Sequence, residues 1–268
     1  MPQYAFDMCK LRSIPLGKPR KEGFFVGTEQ GMPLGIQEMI LKDHADIIDY
    51  VKIGEVAGLF SRYPPEWVKK KADLYRQHDV RFFIGGIGFE AALLQGTAEE
   101  YFAKCVELGF TTVEVAEDVL PPMSAKDRAA TVRKARDMGL EVFTEIGVKY
   151  PDKPLDVDEA IDTIKADLDA GAATVTIEVK DMIPWGTELV TNDTDTSWAE
   201  KVINAVGLDK LVFECYPPHP WQNGAMWLLH HFGQGCSLAH IDVEDCVLTY
   251  QMRVGMTRLQ EFPGMYLD

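Results

Sequence analysis

The chain has 268 residues, 46% of them apolar, which is enough for one full hydrophobic core in a single α/β domain. A formal net charge of −15 at pH 7 argues against nucleic acid and anionic lipid as partners, because like charges repel. Five scattered cysteines form no CxxC pair, and no apolar run approaches the ~20 residues of a membrane span, so the expectation is a cytoplasmic protein with reduced thiols, no zinc site and no membrane contact.

Taken in chain order, short β-branched runs alternate with longer amphipathic ones. A basic stretch, "KLRSIPLGKPRKEG", lies in an N-terminal extension over residues 1–22. Strands are expected at 24–29, 48–54, 80–86, 111–117, 141–147, 173–179, 210–215 and 236–240. Between them, "PPEWVKKKADLYRQH" (64–78) opens on proline, as helices often do. "SAKDRAATVRKARDMG" (124–139) has a serine cap, an acid three residues on and a closing glycine, and "DVDEAIDTIKADLDAG" (156–171) has the same form. Eight strands, each followed by a helical run, predict a (β/α)8 TIM barrel over residues 23–258, with a tail at 259–268. An open doubly wound sheet would also alternate, but no GxGxxG closes the first strand. "GGIGFE" (85–90) reads first as a tight βα turn, with Gly85 and Gly86 as candidates for backbone contact with an anion.

The chemistry gathers at strand ends. Glu114, Glu145, Glu178 and Glu214 occupy equivalent places near the ends of strands four to seven, and Lys52 does so on strand two. The C-terminal rim is where barrel enzymes carry their catalytic groups, so these side chains are expected to share one mouth. Buried like charges need compensation, which lysines and a divalent cation can supply, and Mg2+ suits an oxygen-rich site. A lone rim glutamate is as readily a salt-bridge partner; the set of four is harder to explain that way. His230 and His231 are adjacent on a helix and read as packing or surface, while His44 and His78 fall at helix ends. His219 follows strand seven and His240 is expected to follow strand eight, at the same mouth.

At these residues the sequence resembles the phosphosulfolactate synthase family. The resemblance runs from Lys18 to Arg253 and is carried by "DYVKIG", "GGIGFE", "LLQG", "LGFTTVEVAED", "TEIGVK", "DLDAGAATVTIEV" and "DKLVFE". It implies a cytoplasmic lyase with a barrel fold that uses Mg2+ to add sulfite to phosphoenolpyruvate, a step toward coenzyme M. It further implies Lys149 as general acid or base, Lys52 as electrostatic stabiliser, Glu145 beside them, and Glu114 and Glu178 as metal ligands. Lys180, Arg253, His219, Gly85 and Gly86 are the candidates for holding a small anionic substrate.

The chain departs from the family pattern at its anion-binding positions. Glu29 and Gln30 stand where Asp-Lys is usual, Lys180 replaces an arginine, "YPPHPWQNG" lacks the usual lysine, and Val254 and Thr257 replace arginines. A phosphate dianion wants several cationic donors. A hydratase, isomerase or decarboxylase acting on a non-phosphorylated carboxylic acid is therefore a rival reading, and a stress-associated binding protein without turnover is a third. A homo-oligomer is compatible with each.

Overall fold

A computed structural model of the chain describes residues 17–54, 56–147, 155–178, 189–215 and 221–262, together with 5, 8, 9, 11, 12 and 14. Eight strands are present: β1 (Phe25–Glu29), β2 (Tyr50–Ile53), β3 (Arg81–Ile84), β4 (Thr112–Val115), β5 (Glu141–Ile146), β6 (Thr174–Ile177), β7 (Leu211–Glu214) and β8 (Ser237–Asp242). The helices described are α1 (Leu34–His44), α2 (Val56–Ser61), α3 (Pro65–Gln77), α4 (Gly86–Leu94), α5 (Ala98–Leu108), α6 (Ala125–Asp137), α7 (Val157–Ala170), α8 (Ser197–Val206), α9 (Trp221–Phe232) and α10 (Cys246–Arg253). No helix among the described residues is long and apolar enough to cross a membrane.

The helix ends follow local chemistry. Ser124 Oγ accepts from Asp127 N at the start of α6, and Asp156 accepts from the N–H groups of Asp158 and Glu159 at the start of α7. Gly171 closes α7 in the left-handed region, which releases the chain into β6.

All strands pair in parallel, in the order β3-β2-β1-β8-β7-β6-β5-β4. The ends of this sheet approach each other. Thr111 N donates to Phe82 O at 3.2 Å, and Thr111 Oγ1 accepts from Phe82 N at 3.2 Å. The result is a nearly closed (β/α)8 barrel.

Alternation along each strand divides the core in two. Phe24, Val26, Tyr50, Phe83, Phe143, Val212 and Ala239 form a cluster of their own, which we read as the barrel's interior plug. Its rings are in contact, with Tyr50 4.9 Å and Phe83 5.5 Å from Phe143 between centroids. The alternate residues, such as Val51, Val113, Val142, Val175 and Phe213, pack in the larger layer with the helices. The plug makes a solid floor beneath the C-terminal mouth.

Two charges sit inside that outer layer. Lys71 of α3 and Glu29 at the end of β1 form an ion pair at 2.8 Å with both side chains fully buried. Glu29 also accepts from Met32 N, and the Lys71 ammonium lies 5.1 Å from the Trp67 ring centroid. Glu29 thus works between sheet and helices. Gln30, the next residue, is the one that borders the mouth.

One strand departs from expectation. His240 is not beyond β8 but inside it, at φ 58°, where the register against β1 shifts between Val26 and Gly27. This is a β-bulge, which re-aims one side chain. Of the remaining histidines, His44 and His78 do lie at the ends of α1 and α3, and His231 sits in the last turn of α9 with Nε2 3.0 Å from Asn192 O. All five cysteines are free, and four of them are buried.

Removing one partner of the Glu29–Lys71 pair leaves the other charge buried without its counter-ion. Lys71→Met is expected to lower stability by about 3–5 kcal/mol, and Lys71→Met with Glu29→Met to recover most of that loss. Urea denaturation of the three proteins measures both effects.

Candidate active site

Each candidate carboxylate stands where it does because of strand alternation. Tyr50 and Lys52 point inward while Val51 and Ile53 face the helices. In the same way Glu145 lies two residues beyond Phe143, and Glu214 two beyond Val212. A polar tier therefore rests directly on the aromatic plug. Lys52, Glu114, Glu145, Glu178 and Glu214 are all at most 6% exposed.

Lys52 is the hub. Its ammonium is 2.7 Å from Glu214 Oε1 and 3.3 and 3.4 Å from the two oxygens of Glu114. Burial alone would lower its pKa, but Glu114, Glu214 and Glu145 outweigh burial and hold it well above the ordinary lysine value. The surrounding carboxylates thus favour the charged form of Lys52, which suits it to stabilise negative charge.

Gly86 N, at the start of α4, donates to Glu114 Oε2 at 2.8 Å. A Cβ on Gly86 would come within 2.3 Å of Ala116 Cβ, so only glycine permits this close approach of helix and strand. Gly85 and Gly86 both line the mouth, but the Gly86 amide expected to meet an anion is already engaged by a carboxylate.

A second group of acids meets at the centre. Glu145, Glu178 and Glu214 each present an oxygen within 4.8 Å of the others, and all three are buried. Of the two expected metal ligands, Glu178 belongs to this group, whereas Glu114 is turned toward Lys52 and Gly86. Glu214 joins the two groups. Its Oε1 meets Lys52, and its Oε2 accepts from His240 Nδ1 at 3.1 Å. His240 reaches it through the β8 bulge. A single sequence shows no bulge, though histidine is among the residues that tolerate positive φ.

The mouth holds a cavity of about 190 Å³ lined by residues including Thr28, Gln30, Lys52, Asp118, Glu145 and His240. Its wall is braced from behind. Arg128 of α6 donates to the backbone oxygen of Glu145 at 3.0 Å while pairing with Glu117 at 2.6 Å and Asp167 at 2.7 Å. Arg128 was not legible as a site-building residue, since it looks like one more charge on a helix.

Arg253 is not at the mouth, and this corrects the expectation that it binds substrate there. Its guanidinium donates to the carbonyls of Gln234, Phe24 and Cys236, at the end where β1 and β8 begin. The physical reason is that α10 runs back along the barrel, so its last turn arrives at the opposite face. Lys149, Lys180 and His219 lie outside the described residues.

Lys52→Met would leave Glu114 and Glu214 buried without their cation. We expect a stability loss of about 3–5 kcal/mol at pH 7. Denaturation curves of variant and parent at pH 7 measure the difference.

Comparison with known proteins is consistent with this geometry. The profile of the family described as (2R)-phospho-3-sulfolactate synthase (ComA) matches residues 16–258. The phosphosulfolactate synthase of Methanocaldococcus jannaschii is 30% identical over 242 residues, covering 88% of this chain and 92% of that one. That of Methanothermobacter thermautotrophicus is 28% identical over 258 residues, covering 94% and 95%, and that of Bacillus subtilis is 26% identical, covering 91% and 94%. Among solved structures, the deoxyribose phosphate aldolase of Aeropyrum pernix aligns with a TM-score of 0.54 at 11% identity over 85% of this chain and 88% of that one, a likeness of fold alone. With a barrel whose mouth gathers these carboxylates and a profile match along nearly its whole length, the chain belongs to the phosphosulfolactate synthase family of lyases.

Proposed function

We propose that the enzyme adds sulfite to phosphoenolpyruvate or a closely related enol acid, with Mg2+ bound at the barrel mouth. The observation that carries this reading is the meeting of three buried carboxylates beside the Lys52 ammonium, which lies 2.7 Å from Glu214. Three such carboxylates close together present the hard oxygen donors that Mg2+ prefers. Glu145, Glu178 and Glu214 would hold the ion. When bound, it supplies Lewis-acid stabilisation of negative charge on a substrate carboxylate.

The rest follows from the chain's own residues. The sulfur of sulfite bonds to the methylene carbon of the enol acid. The C=C electron pair moves toward the substrate carboxylate, giving an enediolate-like species. The Lys52 ammonium stabilises that species in a site floored by the aromatic plug. One proton, delivered to the adjacent carbon, completes the addition, and Lys149 is the residue we assign to deliver it. Glu214 holds Lys52 in place, and Arg128 fixes the strand end that carries Glu145.

A second reading has its own support. Among the described residues that line the cavity, Lys52 is the one lysine or arginine, and Arg253 is at the far end. That charge balance suits a carboxylic acid without a phosphate.

Incubating the protein with phosphoenolpyruvate, sulfite and Mg2+ should give a sulfonate, detectable by mass spectrometry, and Lys149→Ala should slow its formation by roughly 10²–10⁴-fold. If no sulfonate forms, but a non-phosphorylated unsaturated acid is turned over in a Lys149-dependent way, the second reading holds. Glu178→Gln should weaken Mg2+ or Mn2+ binding by roughly 10–100-fold or more, measured by calorimetry without any substrate.

A further inference from the structure

His240 is the residue of β8 that the pairing with β1 passes over. Val26 pairs with Ala239 and Gly27 with Ile241, so His240 is the extra residue of the bulge. The consequence is one of facing. Ala239 belongs to the inner cluster, and Leu238 and Ile241 to the outer layer. Strict alternation would send residue 240 outward among the helices and residue 241 inward. With the bulge, Ile241 stays outward and His240 turns inward to line the mouth cavity. The backbone is strained in doing so. His240 has φ 58°, and among the described residues Asp79 is the one other non-glycine residue with positive φ.

What the ring meets is Glu214, whose side chain is fully buried. The Lys52 ammonium lies 2.7 Å from Oε1, and His240 Nδ1 lies 3.1 Å from Oε2. A carboxylate only accepts, so Nδ1 carries the proton, and a neutral imidazole in that tautomer suffices.

Held at one oxygen, a glutamate carboxylate still turns about its last torsion, which is broad. A donor on the other oxygen stops that turn. A carboxylate has about four lone-pair sites, so two donors do not exhaust it. The orientation so fixed is the one that brings an oxygen of Glu214 within 4.8 Å of oxygens of Glu145 and Glu178.

We propose that His240 is a positioning residue of the ion site: its Nδ1–H locks the Glu214 carboxylate in the orientation that faces Glu145 and Glu178, and the β8 bulge brings the ring there. This rests on the reading that these three acids hold a divalent cation. In this role His240 acts through Glu214, as donors behind metal-binding side chains do elsewhere.

The test is calorimetry of Mn2+ and Mg2+ on the full chain without substrate. His240→Gly should fold, because glycine adopts positive φ without strain, and should bind either ion roughly 10–100-fold more weakly. His240→Asn should stay within about threefold of the parent, because it keeps a donor to the carboxylate. Its amide nitrogen is bonded to Cγ, as Nδ1 is in histidine, and asparagine tolerates positive φ. A bulge that served the backbone alone would leave the ion affinity of His240→Gly unchanged. Imidazole 15N NMR should find a proton on Nδ1 of His240 in the ion-free parent. The inference is overturned if His240→Gly binds as tightly as the parent, or if Nδ1 carries no proton. It is equally overturned if His240→Asn loses about tenfold or more, whether or not His240→Gly folds. A parent that binds neither ion, or a Glu178→Gln variant that binds as the parent does, overturns the ion site and this inference with it. A parent whose binding depends on Glu178 but not on His240 overturns this inference alone.

Discussion

Taking several carboxylates out of water at one end of a barrel costs several kcal/mol for each ion unless a cation answers them. Here Lys52 makes that answer. It bonds Glu214 and Glu114 directly, and its charge is felt at Glu145. The three acids lie on β4, β5 and β7, and the lysine on β2, so a single ammonium ties together strands from different parts of the barrel. These acids favour the charged form of the lysine, which suits it to the role of charge stabiliser.

The tiers of the barrel explain how such a cluster is tolerated. Beneath it, Tyr50, Phe83 and Phe143 fill the interior and exclude water. Around it, backbone groups and braces fix each acid: the Gly86 amide on Glu114, the His240 ring on Glu214, and Arg128 behind Glu145. At the far end, Arg253 and Asp49 tie the beginnings of the strands to the last helix and to Arg20. Charge is thus concentrated at both ends, with an apolar section between.

Membership of the phosphosulfolactate synthase family rests on a match along residues 16–258 and on relatives near 30% identity. Within this chain, Glu29 ends β1 yet turns into the helix layer to meet Lys71, while Gln30 beside it borders the mouth. A strand end has both an inward and an outward face, so neighbours in sequence take different tasks there.

What the sequence determined by itself was periodic and local. Eight short apolar runs separated by capped helices made the barrel legible, since strand alternation and helix capping are written within a few residues of each other. The same alternation marked Glu114, Glu145, Glu178, Glu214 and Lys52 as inward-facing at one end. Only the tertiary structure decided which acids meet which. Glu114 turned to Lys52 and Gly86, while Glu145, Glu178 and Glu214 drew together, because those distances depend on barrel closure and side-chain reach. It also decided that His240 enters the site through a bulge, that Arg128 supports it from a helix, and that Arg253 belongs to the opposite end. Each of these rests on contacts between residues far apart in the chain, and no local pattern encodes such a contact.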